Sequence, residues 1–537
     1  MKLPFVSYPT VHLPERDRKR MLLTQWHFVG AVILVGVFFR FYGLEQKLYW
    51  LDEVDFSMRI AGYSLAELKR ILLGQSLMSA ETLNSYQFPQ DDRTLADLLH
   101  SLFLESTDQA PLFYIMAKYW AQFLGPSIAV VRSASAIVSL FSFVGIYWLT
   151  QELFQSKTIS RISLLLMAVS PIHVIYAQEA RPYSLLIVST LFSTALLLRA
   201  LKSQAPSWWI AYTVSLIFGV YAHLIFVLVG ISQFFYMILI ARSQERYAFL
   251  SYLKAICVCL LAFSPWLVML IRQPSKQTIG FILDLQWNPL HRLVRITGIL
   301  SRGVLDFGTG QILSWRIIVL STILVGFIML LLAYAVYVLI KTTAPSTWQL
   351  PVALIFIPSI FLIVPDVLLG TQSGTTRYLI PVTLGLQLAL SYLLGTHLAT
   401  ASRSGRSVWQ FMTVIVVSCG VFSCTLRTQT DLWWNQLPHM LGDMPASAAY
   451  INQSQQPLVI VDADMNINVI FTHVLSHQLE ADRQLTFLVP PYPVTDQDQF
   501  SDIFLFKPSE ALISQTQKAY GKESEQLTSL LWKVAPD

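Results

Sequence analysis

A chain of 537 residues that is 54% hydrophobic and only 13% charged is excluded from the soluble globular class. Its mean hydropathy of +0.54 is that of a polytopic α-helical membrane protein. The net charge of +5 is modest and unevenly spread, which argues against nucleic acid as a partner, and the four cysteines (Cys257, Cys259, Cys419, Cys424) sit in apolar runs without disulfide or zinc spacing.

A polar, basic head ("PERDRKR", 14–20) precedes the first apolar run, and no small-residue cleavage site follows it. Residues 1–21 therefore read as a cytoplasmic tail and 22–43 as a retained helix. A transmembrane helix needs about 20 mostly apolar residues. On that basis the chain offers eleven spans: 22–43, 127–150, 161–177, 183–201, 207–221, 224–241, 254–271, 315–340, 349–365, 378–398 and 408–426. The stretch 207–241 is too long for one span and reads as two short helices turning near His223.

Basic residues fall in alternate loops: Arg18–Arg20, Lys157 with Arg161, Arg199 with Lys202, then Arg242, Arg246 and Lys254, Lys341, and Arg403 with Arg406. Positive loops stay inside. The parity places 44–126, the basic loop 272–314, 366–377 and 427–537 on the extracytoplasmic side of a plasma (inner) membrane, with 22–426 as the transmembrane domain.

Those outer segments carry their own structure. Val54, Met58, Ala61, Leu65, Leu68 and Leu72 recur at helical spacing and predict one amphipathic helix along the membrane surface. "PLFYIMAKYWAQFLG" (111–125) predicts a second interfacial or re-entrant helix. After residue 427 the composition changes. "QPLVIVDADMNINVIF" (456–471) and "TFLVPPYP" (486–493) predict strands, and 500–525 helices, of a small α/β domain.

Charge is scarce, so where it gathers matters. "KLYWLDEVDF" (47–56) sets Asp52, Glu53 and Asp55 just beyond the first span. Further groups are Asp108 in "STDQAPLFY", Gln178, Glu179 and Arg181 in "SPIHVIYAQEARPYS", His223 in "GVYAHLIF", Arg377 in "TTRYLIPV", and Arg272, Lys276, Arg292, Arg295 and Arg302 of the basic loop. Bland roles compete: Asp52 as an N-cap with Asp55 in a partial capping box, Arg181 and Arg377 as snorkelling anchors, His223 as a turn residue. Gln178 and Glu179 are expected to orient Arg181.

A carboxylate and arginines at one membrane face suit sugar transfer from a polyprenyl phosphate. The acid takes a proton from the acceptor, and arginine forks stabilise the departing phosphate. "YWLDEVDFSMRIA" resembles the acidic motif in the first outer loop of GT-C glycosyltransferases. The closest likeness is to the bacterial protein-mannosyltransferase-like family and the aminoarabinose transferases of lipid A. "DQAPLFYIMAKYWAQFLGPSIAVVRSASAIVSL", ending on the glycine and arginine that open the second span, and the "QEARPY" stretch extend the resemblance over about 20–400. The resemblance implies Asp52 as the catalytic base with Glu53 as its partner. With the charge clusters read above, donor phosphate and substrate binding are expected at Arg181, Gln178, Glu179, Asp108, Arg377, Arg272 and His223. It implies inversion at the anomeric carbon, no cofactor and no obligatory metal, with a lipid, glycan or protein acceptor at the bilayer surface. Some relatives place a phosphate-binding lysine where this chain has Ala110. A polytopic transporter or flippase, or a polysaccharide polymerase for lipid-linked sugars, is the alternative.

Overall fold

The computed structural model describes residues 15–240, 246–273, 288–308, 315–371, 373–492 and 499–534. Lys276, Arg242 and much of the basic loop lie outside the described residues. Every predicted apolar run is helical. The helices are Glu15–Phe41, Ile128–Phe154, Lys157–Val169 with Pro171–Ala177, Tyr183–Ser203, Pro206–Ala222, Phe226–Ile240, Arg246–Arg272, Trp315–Thr342, Pro345–Leu369, Ile380–Thr400 and Arg403–Thr428. By length and composition seven are sufficient to cross a bilayer, and a bent pair would be an eighth. Trp26–Phe41 and Phe226–Ile240 are apolar but shorter.

The bent pair shows how sequence sets shape. Pro171 has no N–H, so the carbonyl four residues earlier, on Met167, loses its helical partner. The two pieces meet at 56°. Arg40, the one charge in the first apolar run, is fully buried and donates to Met167 O and Ala168 O, both at 2.8 Å. The guanidinium replaces the missing backbone donor where water is excluded.

Segments between helices converge on one end of the bundle. There Arg132 reaches the carbonyls of Leu44, Lys47 and Leu48, Gln178 reaches Phe39 and Tyr42, and Trp433 reaches Asp306. The long segment after the first helix folds at this end as helices Leu51–Ala61, Leu65–Leu73, Ala80–Ser85, Leu95–Glu105 and Leu112–Leu124. The single amphipathic helix expected over 54–72 is thus two. Gly62 (φ 95°) ends the first in a left-handed turn, and the Ser64 hydroxyl starts the second by accepting from Glu67 N at 3.1 Å. Their apolar stripe does not lie on a membrane surface either: Val54, Met58, Ala61, Leu68 and Leu72 are buried within the protein. Helix Leu112–Leu124 keeps Tyr119, Phe123 and Leu124 exposed, as an interfacial helix requires.

Among the described residues six strands form one sheet: β1 (Met78–Ser79), β2 (Pro457–Asp462), β3 (Gln484–Leu488), β4 (Asp502–Phe506), β5 (Ser524–Gln526) and β6 (Leu531–Val534), in the order β1-β3-β2-β4-β6-β5. The centre β3-β2-β4 is parallel and the flanking pairs are antiparallel. Two expectations change. Residues 500–525 supply strand β4 as well as helix Glu510–Tyr520. The C-terminal sheet is also not made by 427–537 alone, because β1 comes from the segment after the first helix and pairs Met78 with Leu485. Asn84 Nδ2 to Ser476 O (3.1 Å), and Gln87 between His473 (3.2 Å) and His477 (3.0 Å), extend that seam.

Candidate active site

The helix Leu51–Ala61 begins after Trp50 in extended conformation, with no side-chain cap. Asp52 is therefore not the N-cap, and Asp55 is not part of a capping box. Asp55 accepts from Arg59 at 2.9 Å one turn on, and Arg59 also donates to Glu105 at 2.7 Å. Asp52 and Glu53 occupy the first turn, where the helix dipole favours anions. Successive residues point about 100° apart on a helix, and the two acids accordingly have different surroundings.

Glu53 turns inward and has no exposed surface. Arg132 clasps it from the start of the second long helix, Nε to Oε1 at 2.8 Å and a second nitrogen to Oε2 at 2.5 Å. Glu53 Oε1 also accepts from Ala180 N at 2.9 Å. Arg132 donates in addition to the carbonyls of Leu44 (2.6 Å), Lys47 (3.1 Å) and Leu48 (3.0 Å). Such a fork, with its remaining donors satisfied, is a buried structural pair. Glu53, expected as the partner of Asp52, is taken up by Arg132 and Ala180, and with Arg132 it fastens the 44–48 segment to the 178–181 junction.

Asp52 turns outward and keeps 28% of its side chain exposed. Its Oδ2 is paired with Arg377, itself 29% exposed, and lies 3.8 Å from Arg181. Arg181 is 7% exposed and donates to the Asp52 backbone carbonyl at 3.2 Å. Burial alone would raise the Asp52 carboxyl, but the Arg377 and Arg181 charges outweigh it and hold the group below the ordinary carboxylate value.

Aromatic rings back the two arginines. Arg181 lies 5.9 Å from the Tyr183 ring and Arg377 5.4 Å from that of Tyr378. His223 stands between them, 5.6 Å from Tyr183 and 6.2 Å from Tyr378. Its Nδ1 accepts from Ile225 N at 3.1 Å, as a turn histidine would, yet the ring also belongs to the site. Burial and the charges of Arg181 and Arg377 push the imidazole down to about 3, so it is neutral.

Glu179 and Gln178 do not orient Arg181 through their side chains. Glu179 is buried and accepts from Asn435 Nδ2. Burial and the nearby Glu53 charge, opposed by Arg427, push its carboxyl up to about 8, so it is protonated at neutral pH. Gln178 ties the first helix to the last, donating to Phe39 O (2.6 Å) and Tyr42 O (2.8 Å) and accepting from Arg427.

Asp108 sits in the turn before helix Leu112–Leu124, where Gln109 Nε2 donates to it at 3.3 Å. Buried Tyr114, whose hydroxyl donates to Gln109 at 3.4 Å, feels the charges of both Arg181 and Asp108. Asp108 therefore borders the site without bonding to Asp52. Arg272 ends its helix exposed and makes no described contact with the cluster. Arg302 of the basic loop comes close to the site. It donates to Thr376 Oγ1 at 3.0 Å, beside Arg377, and packs 3.7 Å from the Trp434 ring. Arg132 entered the sequence reading only as the arginine that opens the second span, with no role of its own, and Asn435 and the Trp433–Trp434 pair on Asp306 (2.9 and 2.6 Å) did not enter it. From sequence, "LWWNQ" has the look of an interfacial linker. Among the described residues no group of three or more His, Cys, Asp or Glu side chains is arranged to hold a metal ion.

Residues 108–269 match the family model described as dolichyl-phosphate-mannose-protein mannosyltransferase. That segment contains Arg132, Glu179, Arg181 and His223 but neither Asp52 nor Arg377. No protein with a curated description matches the sequence. The fold is similar to the crystal structure of ArnT from Cupriavidus metallidurans in the apo state, at TM-score 0.52 and 12% identity over 96% of this chain and 100% of that one. It is similar to the same protein bound to undecaprenyl phosphate, at TM-score 0.51 and 13% identity over 95% and 99%. The matched segment covers less than a third of the chain, and the likeness to ArnT is one of fold.

Proposed function

We propose that this membrane enzyme transfers a sugar from a polyprenyl-phosphate-linked donor to a lipid, glycan or protein acceptor at the extracytoplasmic face of the inner membrane. The observation that carries the reading is the outward carboxylate of Asp52, flanked by Arg377 and Arg181 from two separate inter-helix junctions. A relative of the same fold has been crystallised with undecaprenyl phosphate, which supports a polyprenyl phosphate as the carrier.

The acceptor hydroxyl attacks the anomeric carbon from the side opposite the phosphate, and its proton passes to Asp52. The bond from the anomeric carbon to the phosphate oxygen breaks, and the electron pair leaves with the polyprenyl phosphate. Back-side attack inverts the anomeric centre. Arg181 and Arg377 take up the charge that develops on the leaving phosphate, from positions fixed before the reaction. Base catalysis contributes about 10²–10⁴-fold, so positioning by the Glu53–Arg132 pair and phosphate stabilisation supply the remainder.

The test is turnover by the purified protein in lipid nanodiscs, with polyprenyl phosphates carrying hexose, pentose or aminopentose and a cell-envelope acceptor fraction. Free polyprenyl phosphate is followed by mass spectrometry. Acceptor-dependent release with at least one donor is expected. Release from none of them above the Asp52→Asn background overturns the assignment.

A further inference from the structure

We infer that Asp52 and the donor phosphate compete for the same two arginines, so that seating the donor is the event that frees the base. The inference rests on the sugar-transfer reading and adds the control of that site.

Three observations carry it. First, Arg377 and Arg181 both address one oxygen, Oδ2 of Asp52, rather than one oxygen each. A carboxylate held by two cations is a poor proton acceptor, so the arrangement seen here is a resting one. Second, Arg181 has donors to spare. It is buried, makes one hydrogen bond from its guanidinium to the Asp52 backbone carbonyl, and stands too far from Oδ2 for a second. Its buried Nε has no hydrogen-bond partner among the described residues. A guanidinium has five N–H donors, and leaving them unmet in a buried place is costly unless a ligand meets them. Third, Arg377 is as open as Asp52, so an incoming anion meets the cation and the carboxylate together.

Charge arithmetic gives the exchange a direction. The donor is a phosphodiester with one negative charge, and the product is a monoester with up to two. As the glycosidic bond breaks, the arginines are drawn further onto phosphate. Asp52 has by then received the acceptor's proton and no longer competes. When Asp52 gives that proton to water, its charge returns and draws the arginines back, which helps to expel the product. One pair of arginines thus times both activation of the base and release of the lipid.

The test is equilibrium binding of undecaprenyl phosphate to the full chain in nanodiscs. It compares wild type with Asp52→Asn, Asp52→Ala, Arg181→Gln, Arg377→Gln and the double variant Asp52→Asn/Arg377→Gln, each checked for an unchanged thermal transition. Removing the competing carboxylate should tighten binding roughly 3- to 10-fold, the size of a partly screened charge-pair coupling. Each arginine variant should weaken binding, and the double variant should lose most of the gain. Weaker binding by the arginine variants, with unchanged or weaker binding by both Asp52 variants, overturns the exchange and leaves the phosphate reading standing. Unchanged binding by both arginine variants overturns the phosphate reading and the exchange with it.

Discussion

Asp52 and Arg377 are separated by 325 residues, and their side chains form an ion pair. Neither is positioned by its own neighbourhood alone. Asp52 is fixed by the first turn of helix Leu51–Ala61 and by Glu53 behind it, and Arg377 by the junction before helix Ile380–Thr400. The pair exists because the inter-helix junctions meet at one end of the bundle. Five consequences can be measured.

Asp52→Asn keeps the shape of the side chain and removes its basicity. Transfer should fall by about 10²–10⁴-fold, the usual worth of a general base, with the thermal transition retained. Turnover within a few-fold of wild type would remove Asp52 from that role.

At Arg377 the shape of the cation matters as well as its charge. Arg377→Lys retains charge but not the planar fork, so it should recover part, not all, of the donor turnover lost in Arg377→Ala. Arg181→Ala should raise the donor KM and lower kcat together. Full activity in Arg377→Lys would reduce the residue to a point charge.

Glu53 and Arg132 stabilise each other in a buried place. Removing either partner alone leaves an unpaired buried charge, which typically costs about 3–5 kcal/mol. Glu53→Leu/Arg132→Met should therefore be less destabilised than the sum of its single changes. It should not reach wild type, because Arg132 also serves the carbonyls of Leu44, Lys47 and Leu48. Additive losses in thermal unfolding would contradict a direct pair.

Glu179 sets a signed pH effect. Its folded carboxyl is raised from the ordinary 4.5 to about 8, so between those values the folded chain keeps a proton that the unfolded chain has lost. The stability this adds is fully present below 4.5 and lost as pH rises through about 8. Glu179→Gln is neutral throughout. The stability of wild type minus that of Glu179→Gln should therefore fall from pH 6 to pH 9, at most by about 1.4 kcal/mol per pH unit. A flat or rising difference would show that Glu179 is already charged at neutral pH.

Topology can be read by labelling. The inferred eleven crossings put the C-terminal sheet on the same outer side as Asp52. A cysteine at Glu480, which is 57% exposed, in a chain whose native cysteines are replaced, should react with an impermeant maleimide on intact cells or spheroplasts. Reaction only after permeabilisation would place the sheet and the site inside.

The helices were legible because apolar runs of bilayer length have few other uses, and each predicted run is helical. Asp52, Arg181, His223 and Arg377 were legible because charge and imidazole are costly in such a chain and gathered at the segment ends. What sequence alone could not divide was labour among adjacent acids. Asp52 and Glu53 differ only in the face they turn, which depends on Arg132 and Ala180 far along the chain. The break at Gly62 had a local signal, a glycine followed by Ser64 and Glu67 in capping register, which the long apolar periodicity masked. Strand β1 is two residues long and exists only through its partner, so no periodicity could reveal it. Arg272 and Arg302 belong to the same basic stretch, and the contacts of Arg302 with Thr376 and Trp434, far along the chain, select it.

The pairing of Met78 with Leu485 also fixes an order of events during synthesis. In a chain made from its N-terminus and threaded as proposed above, the segment carrying Asp52 crosses the membrane early, yet it has no edge to join until β3 has been translated. Domains commonly fold as they emerge; the sheet at this end of the bundle is complete only when nearly the whole chain has been made. A protein cut short after residue 427 would insert its helices and still leave Asp52 on an unfinished platform.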